Sequence, residues 1–130
     1  MKNKKFFKYF KEYEWSNVFA MIRNNRLEPK ICHADFHNKL VVITGATSGI
    51  GYITARKYAS HGANLLCINR NQEKSEALKH EIEGEFGVNC DYKIADLSKM
   101  NDIHRVAEEL SGISTPIDVL IHNAGVYLTK

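Results

Sequence analysis

Cysteine, proline and long apolar runs are all scarce in this 130-residue sequence, which has three cysteines and two prolines. An odd trio of cysteines is not the even-numbered framework of a small disulfide-stapled domain, so free thiols in a reducing, cytoplasmic setting are expected. Two prolines and eight glycines exclude a collagen-like or low-complexity chain. A bilayer span needs about 20 consecutive apolar residues, whereas the longest runs, Val18–Ile22 and Leu40–Ile43, are only core-sized. A secretory leader is not expected either: Lys8, Lys11, Glu12 and Glu14 interrupt the N-terminal aromatics where an apolar stretch of about 7–15 residues is required. With 44% hydrophobic and 25% charged residues, the composition is that of an ordinary globular domain and not of a disordered chain.

Charge is unevenly spread. Residues 1–30 hold eight Lys/Arg against three Glu, while residues 31–130 hold ten against twelve acidic residues. The body is therefore mildly acidic, and no nucleic-acid partner is expected. At 100° per residue, Phe6, Tyr9, Phe10 and Tyr13 share one helical face and Lys4, Lys5, Lys8 and Lys11 the other. Trp15, Val18, Phe19 and Ile22 fall almost opposite that aromatic face. This places a break near Glu14–Asn17, with Ser16 capping a second short helix. Residues 1–13 read either as a peripheral membrane-surface element or as a helix packed on its own domain or on a partner subunit, its lysines solvated. Pro29 ends the second helix, and the amphipathic extension as a whole is set at residues 1–38.

From Lys39 onward short Val/Ile/Leu-rich runs alternate with longer amphipathic stretches. The pattern predicts strands over Lys39–Thr44, Asn64–Asn69, Asp91–Ala95 and Ile117–His122. Helices are predicted over Ile50–Ser60, Gln72–Phe86 and Lys99–Leu110, with Gly62 and Gly87 at C-terminal caps and Ser98 capping the third helix. The first and last strands show little polar alternation, as expected of parallel strands covered on both faces. The order β-α-β-α-β-α-β over residues 39–130 predicts an α/β fold, the first half of a Rossmann-type doubly wound parallel sheet. Ligand is expected beyond the carboxyl ends of the strands.

The first strand runs through Thr44-Gly45-Ala46-Thr47-Ser48-Gly49-Ile50-Gly51 into a helix, the setting a phosphate-binding glycine loop requires. Gly45 permits a sharp turn, Gly49 permits close approach of a pyrophosphate, and Gly51 permits close packing of the helix on the sheet. The helix N-terminus supplies free N–H groups to an anion, and Thr47 and Ser48 can add hydroxyl donors. These residues resemble the short-chain dehydrogenases/reductases (the SDR family), whose motif is spaced Gly-x-x-x-Gly-x-Gly. Two later segments agree with the same family in order and spacing: Asp96-Leu97 after the third strand, where the family places an Asp near the adenine, and Asn123-Ala124-Gly125 after the fourth. The resemblance covers residues 39–127 and leaves residues 1–38 uncovered. Its nearest branch is retinol-dehydrogenase-like or protochlorophyllide-reductase-like.

The resemblance implies a nicotinamide dinucleotide partner, and charge chooses between the two forms. NAD-binding relatives hold the ribose 2′-OH with an acidic residue at the end of the second strand. Here the residues are Asn69-Arg70-Asn71. With no carboxylate at that point and a guanidinium able to take a phosphate in bidentate fashion, NADP is expected over NAD. Two plainer readings stand beside this one: Arg70 as a solvated loop arginine, and Asp96 as the organiser of the turn before Ser98. His122, where the family more often has Asn, is expected to be a packed strand-end residue.

In this family a Tyr-x-x-x-Lys pair handles the proton that accompanies hydride transfer. None of the tyrosines supplies one: Tyr52 is followed by Arg56, Tyr58 by Gly62, Tyr9 by Tyr13, Tyr13 by Asn17 and Tyr92 by Asp96, while Tyr127 precedes Lys130 by one residue too few. No catalytic residue is assigned. The chain is expected to be the cofactor-binding half of a longer oxidoreductase acting on a small carbonyl or alcohol, binding its cofactor weakly by itself and not turning over. The alternative is a non-catalytic nucleotide-binding or interaction module. An open sheet edge at Ile117–His122 would favour self-association. The cluster Cys32-His33-Ala34-Asp35-Phe36-His37 lacks a paired metal-binding pattern, so no metal is assigned, and neither Cys67 nor Cys90 has a visible activator.

Overall fold

The computed structural model describes residues 15–28 and 30–125. The expected helix bearing Phe6, Tyr9, Phe10 and Tyr13, the position of Pro29 and the Tyr127–Lys130 spacing lie outside the described residues. The chain divides into two units between His33 and Ala34.

In the first unit α1 spans Trp15–Arg26. Ser16 falls inside its first turn and not ahead of it. None of its residues is buried; Trp15, Phe19, Met21 and Ile22 are exposed, with the Trp15 and Phe19 rings 6.4 Å apart. Among the described residues no helix is long and apolar enough to cross a membrane.

The second unit is a four-stranded parallel sheet in the order β3-β2-β1-β4. Along the chain these are β1 (Leu40–Thr44), α2 (Gly49–Ser60), β2 (Asn64–Asn69), α3 (Gln72–Phe86), β3 (Cys90–Ile94), α4 (Met100–Ser111) and β4 (Val119–Ile121). Side chains of a strand point alternately to opposite faces, and the core divides accordingly. Val41, Ile43, Leu65 and Cys67 meet Ala55 and Ala59 of α2 and Leu78 and Ile82 of α3 on one face. Val42, Leu66 and Ile68 meet Val106 of α4 on the other. Helices thus cover both faces, the doubly wound arrangement expected from the element order.

Residues 34–38 go with the sheet, so the division falls before the boundary at residue 38 expected from periodicity. Phe36 packs edge-on against Tyr58 at 4.9 Å, and its amide donates to the His61 carbonyl at 2.9 Å. The His61 ring in turn bonds the Ala34 carbonyl at 3.0 Å.

Three local expectations are corrected. β3 begins at Cys90, opposite Leu65, one residue earlier than the apolar pattern indicated. β4 is shorter than Ile117–His122 because both its ends are diverted: the Asp118 carboxylate accepts from the Leu40 amide and Lys39, and the Asn123 amide curls back to the Ile121 carbonyl. Its Leu120 stays 48% exposed, so among the described residues β4 is not covered on both faces, unlike Val41–Ile43 of β1. Finally, Lys99 and not Ser98 occupies the N-cap of α4, since Ser98 is turned toward Asp96.

Candidate functional site

The carboxyl ends of the strands open on a cleft of about 600 Å³. Gly45, Thr47 and Ser48 line it from the β1–α2 loop, and Asn69 and Arg70 from the end of β2. Asp96 and Leu97 enter after β3, and Asn123, Ala124 and Gly125 after β4. Gly49, Ile50 and Gly51 lie off this wall, Ile50 being 79% exposed.

Backbone geometry explains the glycine spacing. Gly45 has φ +71°, a left-handed turn that diverts the chain off β1 beneath Ala124. Gly51 is buried, and a Cβ there would be driven into the Gly45 carbonyl oxygen and Asn123 Nδ2. The close approach it permits is therefore to these two loops, not to the sheet surface. Around Gly49 a Cβ would meet no atom within 4 Å, so the mouth of the loop is open. Ser48 is the N-cap of α2 but makes no side-chain capping bond, so its hydroxyl is not committed to the first-turn N–H groups.

The segment after β4 is tied to the end of β1. Thr44 Oγ1 accepts from the amides of Asn123 and Ala124 at 3.1 and 3.0 Å. Asn123 Nδ2 donates to the carbonyls of Thr44 and Gly45 at 3.2 and 3.0 Å. Asn69 braces the other side. It is 3% exposed, with Oδ1 accepting from the Ala46 amide at 2.8 Å and Nδ2 donating to Ser75 Oγ at 3.1 Å. Both ends of its amide are thus spent on the protein.

Arg70 is exposed at the rim, and Lys74, which the sequence reading passed over, joins it on the wall. Its amide donates at 2.8 Å to Asn71 Oδ1, the cap of α3. Spacing gave no signal for it, since Arg70 precedes the Asn71 cap and the i,i+4 pairing rule holds only within a helix. Asp96 Oδ1 accepts from the Ser98 hydroxyl at 2.7 Å and the Ser98 amide at 3.1 Å. These two bonds, with Lys99 and Arg70 nearby, hold its carboxyl below the usual aspartate range, so it is anionic at neutral pH. Asp96 therefore organises its own turn while facing the cleft, and its amide donates to Asp102 Oδ2 at 2.7 Å.

His122 is exposed, which corrects the expectation of a packed strand-end residue: β4 stops at Ile121 and leaves the ring beyond the sheet. Cys67 and Cys90 are both buried in the core on the α2–α3 face of the sheet, and the neighbouring Cys90 together with burial pushes the Cys67 thiol up and keeps it protonated. In the 32–37 cluster Asp35 pairs with His37, and among the described residues no three potential ligands gather at a metal-binding distance.

Comparison with known proteins agrees with this architecture. The family described as short chain dehydrogenase matches residues 39–130. The chain is 38% identical over 96 residues to the WW domain-containing oxidoreductase of Drosophila melanogaster, covering 72% of this chain and 24% of that protein. It is 32% identical over 117 residues to hydroxysteroid dehydrogenase-like protein 1 of Gallus gallus, covering 87% of this chain and 35% of that one. The second alignment is longer than the stretch 39–130 and so runs into the preceding segment. Among solved structures, a short-chain dehydrogenase from Sphingobium yanoikuyae in complex with NADPH superposes with a TM-score of 0.67 at 34% identity, over 71% of this chain and 36% of that one. L-sorbose reductase from Gluconobacter frateurii, complexed with NADPH and L-sorbose, superposes with a TM-score of 0.65 at 27% identity, over 71% and 35%. The chain thus spans about a quarter to a third of the length of the curated relatives it matches. Sheet order, glycine loop and family match together establish that this chain belongs to the short chain dehydrogenase family.

Proposed function

We propose that the cleft binds NADP(H) in preference to NAD(H), and that residues 39–130 are the cofactor-binding half of an oxidoreductase acting on a small carbonyl or alcohol. The observation that carries the preference is the pair Arg70 and Lys74 on the wall, with no carboxylate at the end of β2. A guanidinium and an ammonium there favour a 2′-phosphate, which an acidic residue would repel. Three features fit the rest of the cofactor: the open mouth at Gly49, the uncommitted Ser48 hydroxyl, and the helix N-terminus behind them. Asp96 would lie on the adenine side of a bound cofactor, and Asn123, Ala124 and Gly125 on its nicotinamide side. When bound, the nicotinamide supplies a hydride; this chain's own residues hold the phosphates and set the orientation.

No Tyr-x-x-x-Lys pair is present in the sequence, so the chain by itself binds cofactor without reducing a carbonyl. The branch nearest in its loops is retinol-dehydrogenase-like or protochlorophyllide-reductase-like. The proposal extends to a cytoplasmic protein with peripheral membrane contact through residues 1–13, and to self-association through β4.

Calorimetric titration of the 130-residue chain with NADPH and NADH tests the cofactor reading. The wild type should prefer NADPH. Because a charged hydrogen bond contributes about 1.5–3 kcal/mol, Arg70→Glu should weaken NADPH binding on the order of tenfold or more, and Lys74→Ala less. Equal binding of the two nucleotides, or a preference that survives Arg70→Glu, overturns the reading.

A further inference from the structure

We infer that Ser75 is a positioning residue for nucleotide selection, bracing the loop that carries Arg70 against the glycine loop. The inference rests on the NADP(H) reading and concerns a residue that reading does not use.

A buried run of hydrogen bonds carries it. The Ala46 amide donates to Asn69 Oδ1 at 2.8 Å, Asn69 Nδ2 donates to Ser75 Oγ at 3.1 Å, and the Ser75 hydroxyl donates to the Asn71 carbonyl at 2.7 Å. Ser75 is 1% exposed and Asn69 3%. Each group in the run thus has a partner, which in a dry interior is the condition for tolerating it. Neither position needs a polar residue for packing. Ser75 lies on the face of α3 that buries Leu78 and Ile82, and Asn69 on the face of β2 that buries Leu65 and Cys67. Alanine would fill the Ser75 site nearly as well.

What the polar pair adds is a fixed geometry between two loops. Arg70 lies between Asn69, whose side chain is anchored to the glycine loop, and Asn71, whose carbonyl is anchored to Ser75. The backbone at Arg70 is therefore clamped on both sides relative to the Ala46 amide. A ligand that spans from the glycine loop to Arg70 reads that distance, whereas one that ends at the ribose 2′-OH does not. Removing the hydroxyl leaves Asn69 Nδ2 without its partner and loosens the Asn69 side chain on the glycine loop, while the Asn71 carbonyl keeps only the Ser75 amide, at 3.1 Å.

The test compares wild type, Ser75→Ala, Arg70→Ala and the double variant of the full chain by NADPH and NADH dissociation constants. Hydrogen exchange at the Ala46 amide is followed without nucleotide. Ser75→Ala should lower the NADPH:NADH preference about 3- to 10-fold, the range one hydrogen bond supplies. In the Arg70→Ala background it should lower it no further, since the effect passes through Arg70. Exchange at Ala46 should quicken in Ser75→Ala. An unchanged ratio in a wild type that prefers NADPH, or equal loss for both nucleotides, overturns the role of Ser75. A wild type without preference overturns the cofactor reading instead, and exchange at Ala46 then decides the brace by itself: unchanged protection sinks it, faster exchange upholds the link between the loops.

Discussion

At the scale of single residues, steric exclusion and hydrogen bonding do different work around the cleft. Gly51 is required by sterics: the first turn of α2 lies so close to the Gly45 carbonyl and the Asn123 amide that no side chain fits between them. Gly51→Ala should force the loops apart at a cost of about 1–3 kcal/mol, as overpacking of buried sites generally does. A lowered midpoint in urea unfolding, with weakened NADPH binding, checks this. Asn69 and Asn123 are required by hydrogen bonding: Asn69 spends its amide on the Ala46 amide and the Ser75 hydroxyl, Asn123 on the carbonyls of Thr44 and Gly45. Gly45, Thr47, Ser48, Arg70, Asp96 and the 123–125 segment were legible as residues of the cleft wall because their loops follow strands in a known order. Lys74 and Ser75 were not, because what marks them is their position across the β2–α3 junction, which periodicity does not report.

At the scale of elements, β4 is the least supported strand. It pairs with β1 over Val119, Leu120 and Ile121, and its approach is held by Asp118, which accepts from Lys39 at 3.1 Å and from the Leu40 amide at 2.9 Å. The Leu40 amide, and then the Lys39 ammonium, hold the Asp118 carboxyl below its ordinary 3.8. A carboxyl depressed in the folded state contributes stability that is complete above the unfolded-state value and is lost as pH falls through the lower folded value. Protection of the Leu40 amide against hydrogen exchange should therefore hold at neutral pH and decline on acidification below about 4. In Asp118→Asn the protection should be weaker at neutral pH, and the acid decline should flatten. A decline of equal size in the variant would assign it to other groups. The ends of β4 escaped the sequence reading for the same reason: Ile117 and His122 extend its apolar and aromatic run, but side-chain and backbone bonds made elsewhere end the ladder.

At the scale of the whole molecule, the sheet has two unlike edges among the described residues. β3 carries Asp91 and Lys93, charged side chains of the kind that discourage edge-to-edge pairing. β4 carries only Val119, Leu120 and Ile121, with Leu120 open to solvent. The chain should therefore self-associate with rising concentration in sedimentation experiments. Leu120→Lys should weaken that association on the order of tenfold, about 1.4 kcal/mol, while leaving the cofactor cleft intact. Association unaffected by the substitution would move the contact to another surface.

The amino-acid sequence by itself determined the alternation of strand and helix, the doubly wound class and the loops that form the site. Those features are encoded locally, in a period of 2 or 3.6 and in glycines required at fixed spacings. Only the tertiary structure decided where β3 and β4 begin and end, that residues 34–38 join the sheet, that Cys67 and Cys90 share one face of the core, and that Asn69 bonds Ser75. Each of these depends on a partner distant in the chain, whose approach is set by the sheet order β3-β2-β1-β4 and not by the residues on either side.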